Sequence, residues 1–369
     1  MERKKALIAL ENGYFEYGTA FSGQGTKFAE FVFNTAMSGY EEILTDPSYK
    51  GQVVVFTYPL IGNYGITKKD NQSNIINAEG IIVREASNVM SNFRAVQSLP
   101  DYLTSESVFG IDRVDTRALT KQLRTQGAMK GGITTEILDK DEFIALIKLS
   151  ESISDADIYK LVISDKVQSF DGTDKNNLKV MAIDFGIKSN IIENLKETFN
   201  KVHLVPFDAN FDQHIAGLDF DAIFLSNGPG DPRVVTRIEK YIIDFANAKK
   251  PIIGICFGHQ LIGRAFGLEV EKLKFGHHGG NHPVKYLPDG KVYITSQNHN
   301  YALAKDSVMN SKEWDLTWEN LFDFSVEGIK HKELAINCVQ FHPEASPGPN
   351  EAKEIVFNDF LETVKQGVR

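Results

Sequence analysis

Cysteine and tryptophan are both scarce, at two residues each in 369. Cys256 and Cys338 cannot supply a disulfide framework for a chain this long. Their scarcity points to a reducing, cytoplasmic setting in which a thiol stays free to react or to pack. Basic charge is not in excess either: 40 Lys and Arg stand against 49 Asp and Glu, a formal net charge of −9. That balance argues against nucleic-acid and anionic-membrane partners, which require a basic face. No segment approaches the about 18 consecutive apolar residues of a membrane span. The apolar residues 6–10 follow a charged start, Met1-Glu2-Arg3-Lys4-Lys5, but end at Glu11 and are too short for a signal-peptide core. A Walker phosphate loop is missing as well. The only Gly-Lys pair is Gly290-Lys291, and Lys285 stands where that motif needs its first glycine.

What is present is an ordinary globular balance, 42% hydrophobic and 24% charged, which excludes global disorder. At roughly 150 residues per domain, the length suggests two domains. The first half opens with β-like segments over residues 27–33 and 52–58. Between them lie Ser38-Gly39-Tyr40 and the turn-forming Thr45-Asp46-Pro47-Ser48. Helical spacing follows over residues 115–126 and 141–148. This half carries no catalytic constellation. Residues 164–177 are almost wholly polar, with one glycine and several turn formers, and read as a linker. The expected organisation is a first domain over residues 1–165, a linker over 166–177 and a second domain over 178–369.

Beyond the linker, short apolar runs alternate with helical stretches. Residues 180–185, 202–205, 222–225 and 251–256 read as strands; a stripe of Ile187, Ile191, Ile192 and Leu195, and residues 237–248, read as helices. Residues 292–294 and 335–341 read as further strands, and a helix carrying Ala352, Ile355, Val356 and Phe360 closes the chain. Strands separated by helices imply a parallel sheet covered on both faces, so the second domain is α/β.

The strongest local signal is Gly254-Ile255-Cys256-Phe257-Gly258-His259-Gln260, between an apolar run and a periodic helix. Strand, Gly-x-Cys-x-Gly, helix is a nucleophile elbow with cysteine in place of serine. The glycines relieve crowding where the chain turns sharply and holds the nucleophile in a strained conformation. The free N–H groups and positive end of the following helix favour thiolate and can hold an oxyanion. Such a nucleophile needs a base, and the base needs an orienter. Gln340-Phe341-His342-Pro343-Glu344 offers both, because residues i and i+2 of an extended chain project to one side. Cys338 lacks any such frame and reads as a packing residue.

These motifs resemble those of class I glutamine amidotransferases, and the resemblance extends into the first half. Met37-Ser38-Gly39-Tyr40-Glu41-Glu42-Ile43-Leu44-Thr45-Asp46-Pro47-Ser48-Tyr49 and Tyr58-Pro59-Leu60-Ile61-Gly62-Asn63-Tyr64-Gly65 belong to it. So do Asp184-Phe185-Gly186, Ser226-Asn227-Gly228-Pro229-Gly230-Asp231-Pro232, Gln297-Asn298-His299 and His342-Pro343-Glu344-Ala345-Ser346-Pro347-Gly348-Pro349. Phe275-Gly276-His277-His278-Gly279-Gly280-Asn281-His282-Pro283 completes the set. Together they are similar, over nearly the whole length, to the small, glutamine-hydrolysing subunits of carbamoyl-phosphate synthases. The resemblance implies an amidotransferase domain with a central, mostly parallel sheet flanked by helices, preceded by a β-rich α+β domain that docks a partner.

It further implies Cys256 as nucleophile, His342 as base and then acid, and Glu344 as its orienter. The N–H groups of Phe257 and of the loop 228–230 are expected to form the oxyanion hole. Ser48, Gln260, Asn298, Asn300 and Tyr301, with Gly228 and Gly230, are expected to read the α-amino and α-carboxylate groups of L-glutamine. Ser48 comes from the first domain, so the pocket is expected at the domain junction. Three residues depart from the usual pattern: Phe257 for Leu, Tyr301 for Phe and Asn300 for Gly. Asn is the residue best able to take a left-handed backbone in place of glycine. No cofactor is expected on this chain; ATP and Mg belong to a large partner subunit, which supplies carbamoyl phosphate to arginine or pyrimidine synthesis.

His277, His278 and His282 share a Gly-rich loop, but no cysteine or acid joins them there and the resemblance implies no metal. Two rival readings keep the same residues. A free-standing γ-glutamyl cysteine hydrolase leaves the first domain without a purpose. A scaffold that has lost its chemistry conflicts with the presence of all three triad residue types.

Overall fold

The computed structural model describes residues 3–67, 69–151, 157–174 and 177–368. Met1 and Glu2 of the charged start, and Lys175 and Asn176 of the expected linker, lie outside the described residues. The chain divides into two compact units, Met1–Ala156 with Lys274–Gly279, and Asp157–Leu273 with Gly280–Arg369.

The first unit is built on β1 (Lys4–Leu10), β2 (Phe15–Ser22), β3 (Thr26–Asn34), α1 (Tyr40–Thr45), β4 (Gln52–Phe56) and a short β5 (Leu60–Ile61). It continues through β6 (Gly80–Ile82), β7 (Glu85–Ala86), α2 (Leu99–Ser105), β8 (Phe109–Asp112), α3 (Thr116–Gln126), β9 (Met129–Thr134) and α4 (Lys140–Leu149). Seven strands close into a barrel in the order β1-β2-β8-β6-β4-β3-β9. Period-two alternation drives it. Phe31, Val53, Val55 and Ile82 pack in one cluster with Leu119 and Leu123 of α3. Their neighbours Val32, Val54 and Ile81 pack in another with Ile43 and Leu44 of α1 and Leu99 and Leu103 of α2. The apolar residues 6–10 alternate in the same way and form a strand buried on both faces, because Leu7 and Ala9 cover Phe143 and Ile147 of α4 while Ala6, Ile8 and Leu10 face the barrel cluster. Asp115 and Asp139 cap α3 and α4, accepting from Ala118 N at 3.0 Å and from Glu142 N at 2.9 Å.

The second unit carries β10 (Gln168–Asp171), β11 (Lys179–Asp184), α5 (Ser189–Thr198), β12 (Lys201–Pro206), α6 (Phe211–Ile215), β13 (Ala222–Leu225), α7 (Arg237–Asn247), β14 (Ile252–Ile255) and α8 (Phe257–Ala265). Then come β15 (Val270–Tyr286), β16 (Val292–Leu303), α9 (Lys305–Asn310), β17 (Trp314–Asn320), β18 (Val326–His331), β19 (Ile336–Val339) and α10 (Lys353–Val368). The sheet order is β10-β12-β11-β13-β14-β19-β18-β17-β15-β16. From β12 to β19 neighbouring strands run parallel, and β18 and β17 continue antiparallel. Met181, Ile183, Ile223 and Leu225 pack under α7 and α8 with Ile238, Ile242, Leu261 and Ile262. Val180, Ala182, Ala222 and Phe224 pack on the opposite face with Ile191 and Leu195 of α5 and Val356, Phe360 and Val364 of α10. This three-layer α/β/α arrangement is the expected parallel sheet, covered on both faces.

Two expectations about organisation need correction. The polar stretch 166–177 is not a linker throughout, because Gln168–Asp171 pairs antiparallel with β12, Gln168 opposite Leu204. An edge strand needs little apolar content, which is why it read as a loop. The division falls instead between residues 156 and 157, where Ile158 and Tyr159 turn into the second unit and Tyr159 meets the rings of Phe185 and Phe207. The Gly-rich stretch 276–283, expected as a loop, lies within the long strand β15. Residues Lys274–Gly279 of that strand count with the first unit: Lys274 O accepts from Ala128 N at 2.9 Å, His278 O from Thr35 N at 3.2 Å, and the Phe33 and Phe275 rings lie 5.7 Å apart. Among the described residues no helix is long and apolar enough to cross a membrane.

Candidate active site

β14 ends at Ile255 and α8 begins at Phe257, leaving Cys256 alone to make the turn, with φ 54° and ψ −104°. A positive φ at a residue with a Cβ costs about 1–3 kcal/mol and persists only where the surroundings over-determine it. Here Cys256 N donates to Val339 O at 2.8 Å, Gly258 N to Ser226 O at 3.0 Å and Gln260 N to Cys256 O at 3.2 Å. Of the two bracketing glycines, Gly258 faces backbone that leaves no room for a Cβ, whereas Gly254 faces mainly the movable end of a side chain. A Cβ on Gly258 would sit 2.2 Å from Leu225 O, and one on Gly254 would sit 2.8 Å from Ile262 Cδ1. The Cys256 side chain is buried; its thiol donates to Asn298 O at 3.6 Å, and Gln340 Nε2 donates to the sulfur at 3.6 Å.

His342 and Glu344 follow β19. They meet as the sequence predicts, but in a tight turn instead of an extended strand: His342 N donates to Ser296 O at 2.9 Å, and the chain turns at Pro343. Nδ1 of His342 donates to Glu344 Oε1 at 2.7 Å, with both side chains fully buried. Lys188 Nζ approaches the same carboxylate oxygen at 2.9 Å and donates to Ala345 O at 2.5 Å. Burial by itself would depress the His342 pKa. The Glu344 carboxylate and the Cys256 sulfur outweigh it, against opposition from Lys188, and raise the ring to about 10. Burial pushes Glu344 up, but Lys188 first and His342 second draw it down to about 2. The two shifts run in one direction: Glu344 is held ionised, and His342 is more basic than a free imidazole. Its Nε2 is buried without a formed hydrogen bond, although the sulfur is close enough to act on the ring electrostatically. Loose nucleophile–base contacts of this kind are usual before substrate binds.

Gln260 hands one amide group to two acceptors, Tyr301 O at 2.7 Å and Gln340 Oε1 at 3.0 Å. Its N–H groups thus tie α8 to β16 and to the segment after β19, which leaves only the carbonyl end for a ligand. Asn298, Asn300 and Tyr301 are buried in β16, and the Arg233 guanidinium lies 5.2 Å from the Tyr301 ring centroid. Residues 292–294 marked only the start of that strand, whose middle, Thr295 to Asn300, is polar and reads poorly as β. Asn300 is in extended backbone and is absent from the positive-φ residues, so the left-handed role expected of it does not hold. Gly228 and Gly230 sit in the loop after β13; Gly230 has φ 94°, and Phe257 at the first turn of α8 offers an N–H with no intrahelical acceptor. Ser48 lies in the first unit, buried in the turn Pro47–Tyr49, whose Asp46 side chain accepts from Ser48 N at 2.9 Å.

Sequence reasoning missed Lys188 and Gln340. Lys188 stands two residues beyond Asp184-Phe185-Gly186, and its almost complete burial is invisible in a chain where lysine normally faces water. Gln340 was visible only as part of the segment leading to His342. His277 and His278 count with the first unit and His282 with the second. Cys338 packs in β19, where burial pushes its thiol well up, and His259 is held neutral by burial, its pKa pushed down to about 3.

A family model described as carbamoyl-phosphate synthase small chain, CPSase domain, matches residues 8–133, and one for class-I glutamine amidotransferase matches residues 181–363. A carbamoyl phosphate synthase small chain of Chlorobaculum tepidum is 45% identical over 368 residues, covering 99% of both chains. The chain belongs to the carbamoyl-phosphate synthase small-chain family. Small chains of Aquifex aeolicus, 45% identical over 97% of this chain and 98% of that one, and of Clostridium perfringens, 45% identical over 97% and 99%, are similar to it along the same length. Both halves of the family pattern are thus present in one chain, and the elbow, the dyad and the 228–230 loop all fall within the amidotransferase match.

Proposed function

We propose that this chain is the glutamine-hydrolysing subunit of a carbamoyl-phosphate synthase, with Cys256, His342 and Glu344 as its catalytic triad. The observation that carries the assignment is a buried cysteine, strained at the start of a helix, beside a histidine whose ring is held by a carboxylate. In the first step the Cys256 proton passes to the imidazole and the sulfur attacks the carboxamide carbon of glutamine. The N–H groups of Phe257 and of the loop 228–230 hold the resulting oxyanion. His342 protonates the departing ammonia as the C–N bond breaks, leaving a γ-glutamyl thioester. It then takes a proton from water, whose attack releases glutamate and returns the thiol. Ser48, Gln260, Asn298, Asn300 and Tyr301, with Gly228 and Gly230, are assigned to the α-amino and α-carboxylate groups.

Ammonia is passed to a large subunit, which is assigned the ATP, the Mg and the bicarbonate chemistry. Support for a docked partner comes from the first unit, where Val89, Met90, Phe93 and Val96 are exposed within eight residues, Phe93 at 99%. Exposed apolar patches of this kind mark interaction sites. The segment is held in shape by Ser91 N to Asn63 O at 2.8 Å and Val96 N to Ile66 O at 2.8 Å. A free-standing hydrolase is not favoured, since it gives the barrel unit no role. A reducing cytoplasm is part of the reading, because Cys256 must remain a free thiol. The test is Cys256→Ser in the assembled enzyme: glutamine-dependent synthesis is lost while synthesis from added ammonia remains. Loss of both activities in an intact complex overturns the division of labour.

A further inference from the structure

A cavity lies at the opposite end of the parallel strands β14 and β19 from Cys256. It has a volume of about 280 Å³ and is lined by Lys249 and Lys250 before β14, by residues from Lys330 to Ala335 before β19, and by Thr363, Gln366 and Gly367 of α10. Cys256 follows the far end of β14, so the six residues from Lys250 to Cys256 separate the two places by about 20 Å. Four lysines line this cavity, Lys249, Lys250, Lys330 and Lys332, against the single acidic residue Glu333. In a chain with a net charge of −9, that is a local reversal of sign.

Two of the four ammonium groups are engaged outside the lining. Lys250 Nζ donates to Phe220 O at 2.7 Å, and Lys332 Nζ donates to Lys312 O at 3.0 Å and lies 3.7 Å from Asp315. The ammonium groups of Lys249 and Lys330 carry no such partner among the described residues. His331 is more than nine-tenths buried, and its Nδ1 accepts from Glu333 N at 3.1 Å and Leu334 N at 3.0 Å. The neutral ring therefore carries its proton on Nε2, and it packs against the rings of Phe266 and Trp314 at 5.6 and 4.9 Å. At about 30 Å³ per water, the volume equals roughly nine waters, enough for one or two phosphate groups. Lysine ammonium groups suit phosphate as point charges that can reorient around it.

We propose that this cavity binds a small phosphate-bearing anion, independently of the glutamine site. The test titrates pyrophosphate and, separately, orthophosphate into the full chain at constant ionic strength set with chloride, reading the melting midpoint and the ³¹P linewidth. A saturable rise in midpoint with either anion, absent with chloride alone, is expected. Binding at least tenfold weaker is expected in the double variant Lys249→Gln/Lys330→Gln, with unchanged far-UV circular dichroism. Lys330→Glu, as a second variant, removes it. Preference for pyrophosphate identifies a ligand with two phosphates, and preference for orthophosphate identifies one with a single phosphate. No saturable effect up to about 10 mM, or an effect undiminished in both variants, overturns the proposal.

Discussion

Lys188 Nζ lies 2.9 Å from Glu344 Oε1, with both side chains buried, so the carboxylate that orients His342 is shared with a second cation. The two cations compete. Lys188 stabilises the ionised carboxylate and at the same time opposes the charge on the imidazole. Lys188→Met removes the first effect and leaves Glu344 with one partner. Breaking a buried pair on one side costs about 3 kcal/mol. The expected outcome is a lower denaturation midpoint and a fall in glutaminase kcat/KM of roughly tenfold to a hundredfold, as found when an outer partner of a site is lost. Unchanged stability and kinetics would show that the pair contributes nothing.

Acid and base should affect stability through different members of the dyad. Glu344 is drawn below its ordinary value of 4.5 to about 2, so its contribution is present above pH 4.5 and fades as pH falls towards 2. His342 is raised from 6.5 to about 10, so its contribution is full below pH 6.5 and fades as pH climbs towards 10. Urea midpoints of the wild type and of Glu344→Gln, measured across pH, check this. The variant should lose stability at neutral pH and show a flatter acid limb between pH 4.5 and 2.

Gly258→Ala should damage the elbow without touching the chemistry directly. The added methyl would lie 2.2 Å from Leu225 O and 2.7 Å from Leu225 C, backbone atoms of β13 that cannot swing aside. Overpacking costs typically about 1–3 kcal/mol. A melting midpoint lower by several degrees and slower alkylation of Cys256 are expected; a midpoint equal to wild type would mean that the strand and helix separate without cost.

Phe93→Asp should weaken assembly while leaving the chain folded, since a side chain 99% exposed contributes nothing to the core. Aromatic anchors at interfaces are worth about 2 kcal/mol or more on truncation, roughly thirtyfold in affinity. Analytical ultracentrifugation with the large subunit measures the loss; equal affinity of variant and wild type would remove this patch from the interface.

The legible features were local. Period-two and helical patterns located β3, β4, α3, α4 and the strands β11 to β14 to within a few residues, because each buries one face whose spacing is set by its own backbone. The bracket of Gly254 and Gly258 marked Cys256, because a sharp turn between strand and helix leaves no room for a Cβ at Gly258. The edge strand β10, the polar middle of β16 and the strand passage through residues 276–283 were illegible. Their pairing is fixed by neighbours far along the chain, and their composition suits a loop as well.

Sequence alone determined that a cysteine sits at an elbow and that a histidine has an acid two residues on, since chain spacing and steric need leave few other uses for those patterns. Burial of Lys188 against Glu344, the engagement of the Gln260 amide by Tyr301 and Gln340, and the proximity of Cys256 to an imidazole 86 positions later were decided only by the folded sheet. The reason is dielectric and geometric together. Removing these groups from water gives their charges a sign and a strength that no linear pattern encodes, and parallel pairing of β14 with β19 brings the two strand ends side by side.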